Sequence, residues 1–185
     1  MKLNASKGRI LPFLWYRLKV VPGQTVLFVL YFLCSKTFNP VDCYGIQVVC
    51  EPSQRDRLPD IINALELIRR TDCRRFSRIQ RFVKRIMLFR IRKRGVYYVV
   101  GRICAIRPVS QARSNTNGVT HFYASILIHE ATHGLLESRM LPYSQRNREQ
   151  IERICFAEQT RFLSKSPNVL QDLHALLVDE KRMNH

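Results

Sequence analysis

The sequence predicts an α+β fold: a small antiparallel sheet flanked by helices, one of which is strongly apolar and packs against it. Three observations lead there. The chain has 185 residues, 46% hydrophobic and 24% charged, which suits one compact domain with a real core. Runs with helical spacing surround two β-rich runs in the middle of the chain. A strongly apolar stretch from Thr120 to Leu136 then reads as a helix.

The elements follow in order. Residues 1–35 form a basic and apolar N-terminal segment, with five Lys/Arg and no acid up to Lys19. Its uninterrupted apolar part, Val26 to Cys34, is nine residues, short of the ~20 needed to cross a bilayer. No small-residue cleavage site follows it. As an anchor it would leave the N-terminus inside and the domain outside, a membrane-associated, extracytoplasmic placement; as a core segment it implies a cytoplasmic protein.

Residues 36–185 are expected to form the single domain. Tyr44 to Cys50 is β-branched and apolar and reads as a strand, ended by Glu51-Pro52-Ser53. From Pro59, Ile61, Ile62, Leu65 and Ile68 recur at helical spacing, with Leu67 off the stripe. A second helix after Thr71-Asp72 places Phe76, Ile79, Phe82, Val83 and Ile86 on one face and most arginines on the other. Two β-like runs follow, Met87 to Ile91 and Val96 to Ile106, joined as a hairpin by Arg92-Lys93-Arg94-Gly95 with the glycine supplying an unusual backbone angle. Ser110 to Gly118 reads as a loop, and Thr120 as the N-cap of the apolar helix. Asn147 to Leu163 forms the next helix. Ser166-Pro167 opens a last one, with Val169, Leu170, Leu173, Leu176 and Leu177 on its buried side.

Charge is the most unusual bulk property. The net charge is +17, and between Arg69 and Arg94 there are twelve Lys/Arg against one acid, Asp72. Such a block suits an anionic partner, nucleic acid or an anionic membrane surface, or simply a solvated helix face. The six cysteines (Cys34, Cys43, Cys50, Cys73, Cys104 and Cys155) include no CxxC pair and fix neither a disulfide framework nor a redox compartment.

The chemistry concentrates in His129-Glu130-Ala131-Thr132-His133. On a helix the two histidines project one turn apart from the same face, where both imidazoles reach one metal, while the Glu130 carboxylate is placed to take a proton from water at that metal. With five His and eight Glu in the chain, shuffling produces HExxH in roughly one sequence in 200, so chance is a poor explanation. The flanks, Ser125 to Ile128 and Gly134 to Leu136, are uncharged, as a buried active-site helix requires.

A catalytic zinc takes a third protein ligand and an open position for water. The following helix offers Glu149, Glu152 and Glu158. Glu158 competes for the role because Ile151, Ile154, Cys155 and Phe162 surround it, and a carboxylate on an apolar stripe needs a partner. His121, Tyr123, Tyr143 and His174 are candidates to hold a developing oxyanion, though nothing in the sequence fixes the position of any of them.

Eighteen residues separate His133 from Glu152, and in this the segment Ile128 to Cys155 resembles the gluzincin class of zinc metallopeptidases, within the zincin-like fold. The resemblance implies Zn²⁺ held by His129, His133 and Glu152, with Glu130 as general base, an edge strand ahead of the active-site helix lining the cleft, and a peptide or protein substrate. The wider phrase around the motif also resembles small uncharacterised bacterial proteins with a HEATH motif, which brings no substrate. There is no Gly-Ala-Met-Glu-Asn exopeptidase motif. Leu136 and Arg139 stand where a metzincin has its glycine and third histidine. The alternative expectation is a basic protein that binds nucleic acid or an anionic membrane, in which any metal is structural.

Overall fold

A computed structural model describes residues 39–91, 93–109, 116–141 and 143–165. The basic N-terminal segment, the helix expected after Ser166 and His174 lie outside these residues. Among the described residues no helix is long and apolar enough to cross a membrane.

The fold is α+β. Five short strands, β1 (Val41–Cys43), β2 (Ile46–Cys50), β3 (Arg85–Leu88), β4 (Gly95–Tyr98) and β5 (Ile103–Ile106), form one sheet in the order β1-β2-β3-β5-β4. Among the described residues four α-helices accompany it: α1 (Leu58–Thr71), α2 (Cys73–Phe82), α3 (Thr116–Ser138) and α4 (Arg148–Leu163). The helices expected within the described residues therefore form, with shifted ends. The apolar helix begins at Thr116, so Thr120 is an interior residue and not its cap.

The sheet is mixed, which corrects the expectation of an antiparallel one. β2 and β3 are parallel, as are β3 and β5; only the two outer pairs, β1–β2 and β4–β5, are antiparallel. The cause is connectivity. The chain leaves β2, passes through α1 and α2, and re-enters the sheet in the same direction, as a helical crossover requires. The expected hairpin across Arg92 to Gly95 does not form either, because β5 inserts between β3 and β4. The actual hairpin joins β4 to β5, and its turn carries the left-handed residues Gly101 (φ 77°) and Arg102 (φ 52°). Ile86, read from periodicity as helical, lies in β3: α2 stops at Phe82, and Val83 is already extended.

Helices cover one face of the sheet. Ile46, Val48, Ile86, Leu88, Cys104 and Ile106 share one core with the buried residues of α1, α2 and α3. The opposite face has only a small cluster around Val49 and Ile103. At about 1.5–3 kcal/mol for each large apolar side chain buried, the helix-covered face dominates stability. α1 gives way to α2 at Asp72, whose carboxylate accepts the Arg75 backbone N–H at 3.1 Å and so caps the second helix.

Part of the basic block is taken up by ion pairs within the fold's own surface and helix contacts. Arg69 and Arg70 pair with Glu66, and Arg75 with Asp72. Arg75 and Arg78 also reach Glu158 of α4, at 3.3 and 2.7 Å. Arg75 and Arg78, expected on a solvated face, thus lie half-buried between α2 and α4.

Candidate metal centre

Two close approaches set β4, the outer strand of the sheet, against α3. A Cβ on Gly95 would lie 2.6 Å from Glu130 Oε1 and 2.7 Å from Ile126 Cγ2; one on Gly134 would lie 2.8 Å from Phe82 Cβ and 2.9 Å from the Tyr97 ring. The strand can pass over the motif only because both positions lack a side chain. This is the role of Gly95, which the sequence suggested was a turn residue. α4 packs along the other side of α3, so the motif lies between an edge strand and a helix.

The two histidines point into this gap with Nε2 atoms 3.2 Å apart. Glu152, on α4, places one carboxylate oxygen 3.2 Å from His129 Nε2 and the other 3.8 Å from His133 Nε2. The Tyr143 hydroxyl donates to the same carboxylate at 2.7 Å, and its ring packs edge-on to His133. Burial and the neighbouring carboxylate push the Tyr143 phenol up to about 12, which keeps it a donor.

A polar chain behind His129 settles its tautomer. The Ser125 hydroxyl donates its one proton to the Phe122 carbonyl at 2.8 Å, so it must accept from Gln159 Nε2 at 3.0 Å. The Gln159 carbonyl oxygen is thereby turned toward His129 Nδ1, at 3.3 Å, and requires a proton there. His129 Nε2 is left with a lone pair facing the Glu152 carboxylate. Two acceptors at 3.2 Å need a cation or a shared proton between them. Both imidazoles favour the neutral form: burial lowers His129, and burial together with His129 lowers His133 to about 4.

Glu130 is separate from this trio. It is 5% exposed, lies beneath Gly95 and accepts the Tyr97 backbone N–H; burial, then the nearby Glu152 charge, raises its carboxyl to about 8. A cavity of about 590 Å³ opens onto His129, Glu130, His133 and Glu152, walled by β4 on one side and by Tyr143 and Phe156 on the other. That is the size of a small-molecule or peptide side-chain site.

The structure brings together His129, Glu130, His133 and Glu152, and leaves Glu158 elsewhere. Glu158 is taken up by Arg75, Arg78 and Arg161, and Arg78 also reaches the Thr132 hydroxyl of the motif. Its apolar surroundings did signal a partner, but the partner is arginine. Glu158→Gln is expected to cost about 1–3 kcal/mol of stability and to leave metal content unchanged, whereas Glu152→Gln should lower metal content; thermal melts and metal analysis of both variants separate the two roles.

Among the oxyanion candidates, Tyr143 stands at the cavity. Tyr123 is fully buried, with its hydroxyl accepting the Val109 N–H, and His121 is turned to the Asn117 carbonyl one turn back on its own helix. Cys155 was missed. One ligand atom from each of His129, His133 and Cys155 lies within 4.8 Å of the others. The available signal was spacing, since Cys155 follows Glu152 by three residues and so shares its side of α4. Gln159 continues the same stripe. No protein-family model, curated protein or solved structure matches the chain.

Proposed function

We propose that the protein is a zinc-dependent hydrolase, specifically a metallopeptidase of gluzincin type, with His129, His133 and Glu152 as metal ligands and Glu130 as general base. The observation that carries the reading is that the two imidazole Nε2 atoms, 3.2 Å apart, both face the Glu152 carboxylate, His129 at 3.2 Å from Oε2 and His133 at 3.8 Å from Oε1, with His129 Nε2 and Oε2 meeting as two acceptors. Ligands 2.0–2.1 Å from a tetrahedral zinc are about 3.3–3.4 Å apart, so the separations of the trio lie near those of a coordination sphere. Neutral imidazoles and a carboxylate are the right ligand forms, and the His129–Gln159–Ser125 chain is the kind of outer support that fixes a metal-binding imidazole.

A zinc ion held there supplies Lewis acidity, lowering the pKa of water toward 7 and polarising a carbonyl. The remaining chemistry belongs to the chain. Glu130, beside the metal position, accepts a proton at its carboxylate and returns it to the leaving amine. Tyr143 fixes the Glu152 carboxylate from the cavity side. β4 gives the cleft a wall at the edge of the sheet, against which an extended peptide is held. Its position as an edge strand ahead of the motif helix supports the zincin-like reading.

The test is direct. Purified protein should contain about one zinc per chain and cleave an unstructured protein substrate, with cleavage abolished by a chelator and restored by zinc. A protein that takes up no zinc would sink the proposal.

A further inference from the structure

The mechanism above makes no use of Cys155, although it is fully buried and its sulfur lies within 4.8 Å of a nitrogen of both histidines. We propose that Cys155 is a fourth protein ligand of the same metal, so that the resting centre is His129–His133–Glu152–Cys155 and Glu152 is the ligand that yields to water. This rests on the metal-site reading given above.

The geometry comes from two helices. α3 offers nitrogens at i and i+4, and α4 offers an oxygen and a sulfur at i and i+3; both spacings bring side chains to one face. A sulfur 2.3 Å from zinc and a nitrogen 2.0–2.1 Å from it are about 3.6 Å apart at the tetrahedral angle. The sulfur stands within 4.8 Å of a nitrogen of each histidine, so reaching that spacing takes a shift of up to about 1.2 Å, the scale of a small side-chain rotation. Cys155 approaches from the core side, where it has 0% exposure.

The two α4 donors differ in freedom. The Glu152 side chain is 28% exposed toward the cavity and has the Tyr143 hydroxyl to rest on, whereas Cys155 is enclosed. Four protein ligands would close a tetrahedral site, so a position for water opens when the carboxylate shifts onto Tyr143. Binding replaces the S–H bond of Cys155 by a metal–sulfur bond, and the proton passes to solvent. A soft sulfur ligand also disfavours Mg²⁺, Ca²⁺ and Mn²⁺ relative to Zn²⁺.

X-ray absorption at the zinc edge of the purified full chain reads the ligands without any variant. One sulfur at about 2.3 Å beside nitrogen and oxygen at about 2.0–2.1 Å is expected. The sulfur shell should vanish in Cys155→Ala or Cys155→Ser, whichever folds, and persist in Cys104→Ala, the other buried thiol of the described residues. Zinc bound by nitrogen and oxygen alone, or a sulfur shell surviving loss of Cys155, would overturn this proposal and leave the His–His–Glu centre standing. A chain that binds no zinc overturns both.

Discussion

Replacing Glu130 with glutamine is expected to leave zinc content at about one per chain and to lower turnover by about 10²–10⁴-fold, the usual contribution of a positioned general base. The amide has the size of the carboxyl and can occupy the same space beneath Gly95, but it cannot take a proton. Turnover measured beside metal content separates the two effects, and undiminished hydrolysis would remove Glu130 from the proton transfer. The same exchange has a second signature in chelated protein. The Glu130 carboxyl titrates at about 8 in the fold against an ordinary value of 4.5, chiefly through burial and secondarily through Glu152. A carboxyl whose folded pKa is raised gives stability that is complete below the unfolded value and is lost as pH rises through the folded one. Glutamine carries no such dependence. The melting temperature of Glu130→Gln relative to the native protein should therefore rise between pH 5 and pH 8; a constant difference would contradict the burial argument.

Gly134→Ala is expected to destabilise the protein even though alanine is the better helix former. The helix itself would gain about 0.8–1.0 kcal/mol from the exchange. Against this, the new methyl would sit 2.8 Å from Phe82 Cβ and 2.9 Å from Tyr97 Cζ and its hydroxyl oxygen. Neither neighbour can swing away. The Phe82 Cβ is fixed to the end of α2, and the Tyr97 ring is held by its hydroxyl, which donates to the Phe82 carbonyl at 2.9 Å. Overpacking of this kind costs about 1–3 kcal/mol or more, so clash should outweigh propensity. A lowered melting point, with activity falling as β4 is displaced from the motif, is the expected result. A stabilised variant would show that β4 and α2 give way easily.

What the sequence disclosed divides along physical lines. α1, α3 and α4 were legible because each carries its own periodicity or apolar run, and the two histidines of the motif need only one helix to meet. Pairing in the sheet was not legible. Met87 to Ile91 and Val96 to Ile106 have strand composition, yet whether neighbouring runs pair with each other or admit a third depends on contacts far apart in the chain, and here β5 takes the inner place. Ile86 shows the same limit at one residue: it continues the α2 stripe in spacing, but the helix has already ended at Phe82. At the site, the motif was self-announcing, whereas Glu152 and Glu158 differ only in what α2 offers them. Arg75 and Arg78 claim Glu158, and only the packing of α2 on α4 reveals it. Cys155 escaped notice because a solitary cysteine has no pattern until its helix is set against another.

The outer edge of β4 also bears on solubility. A strand paired on one side is a place where a neighbouring copy of this protein can add, and Glu130 blunts this one by accepting the Tyr97 N–H. Several features limit that self-association. The strand is four residues long, it begins at a glycine, and exposed Lys93 and Arg94 precede it, so a second copy must bring like charges together to extend the sheet. Part of the strong positive charge thus acts as a gatekeeper against the edge-to-edge pairing of two copies.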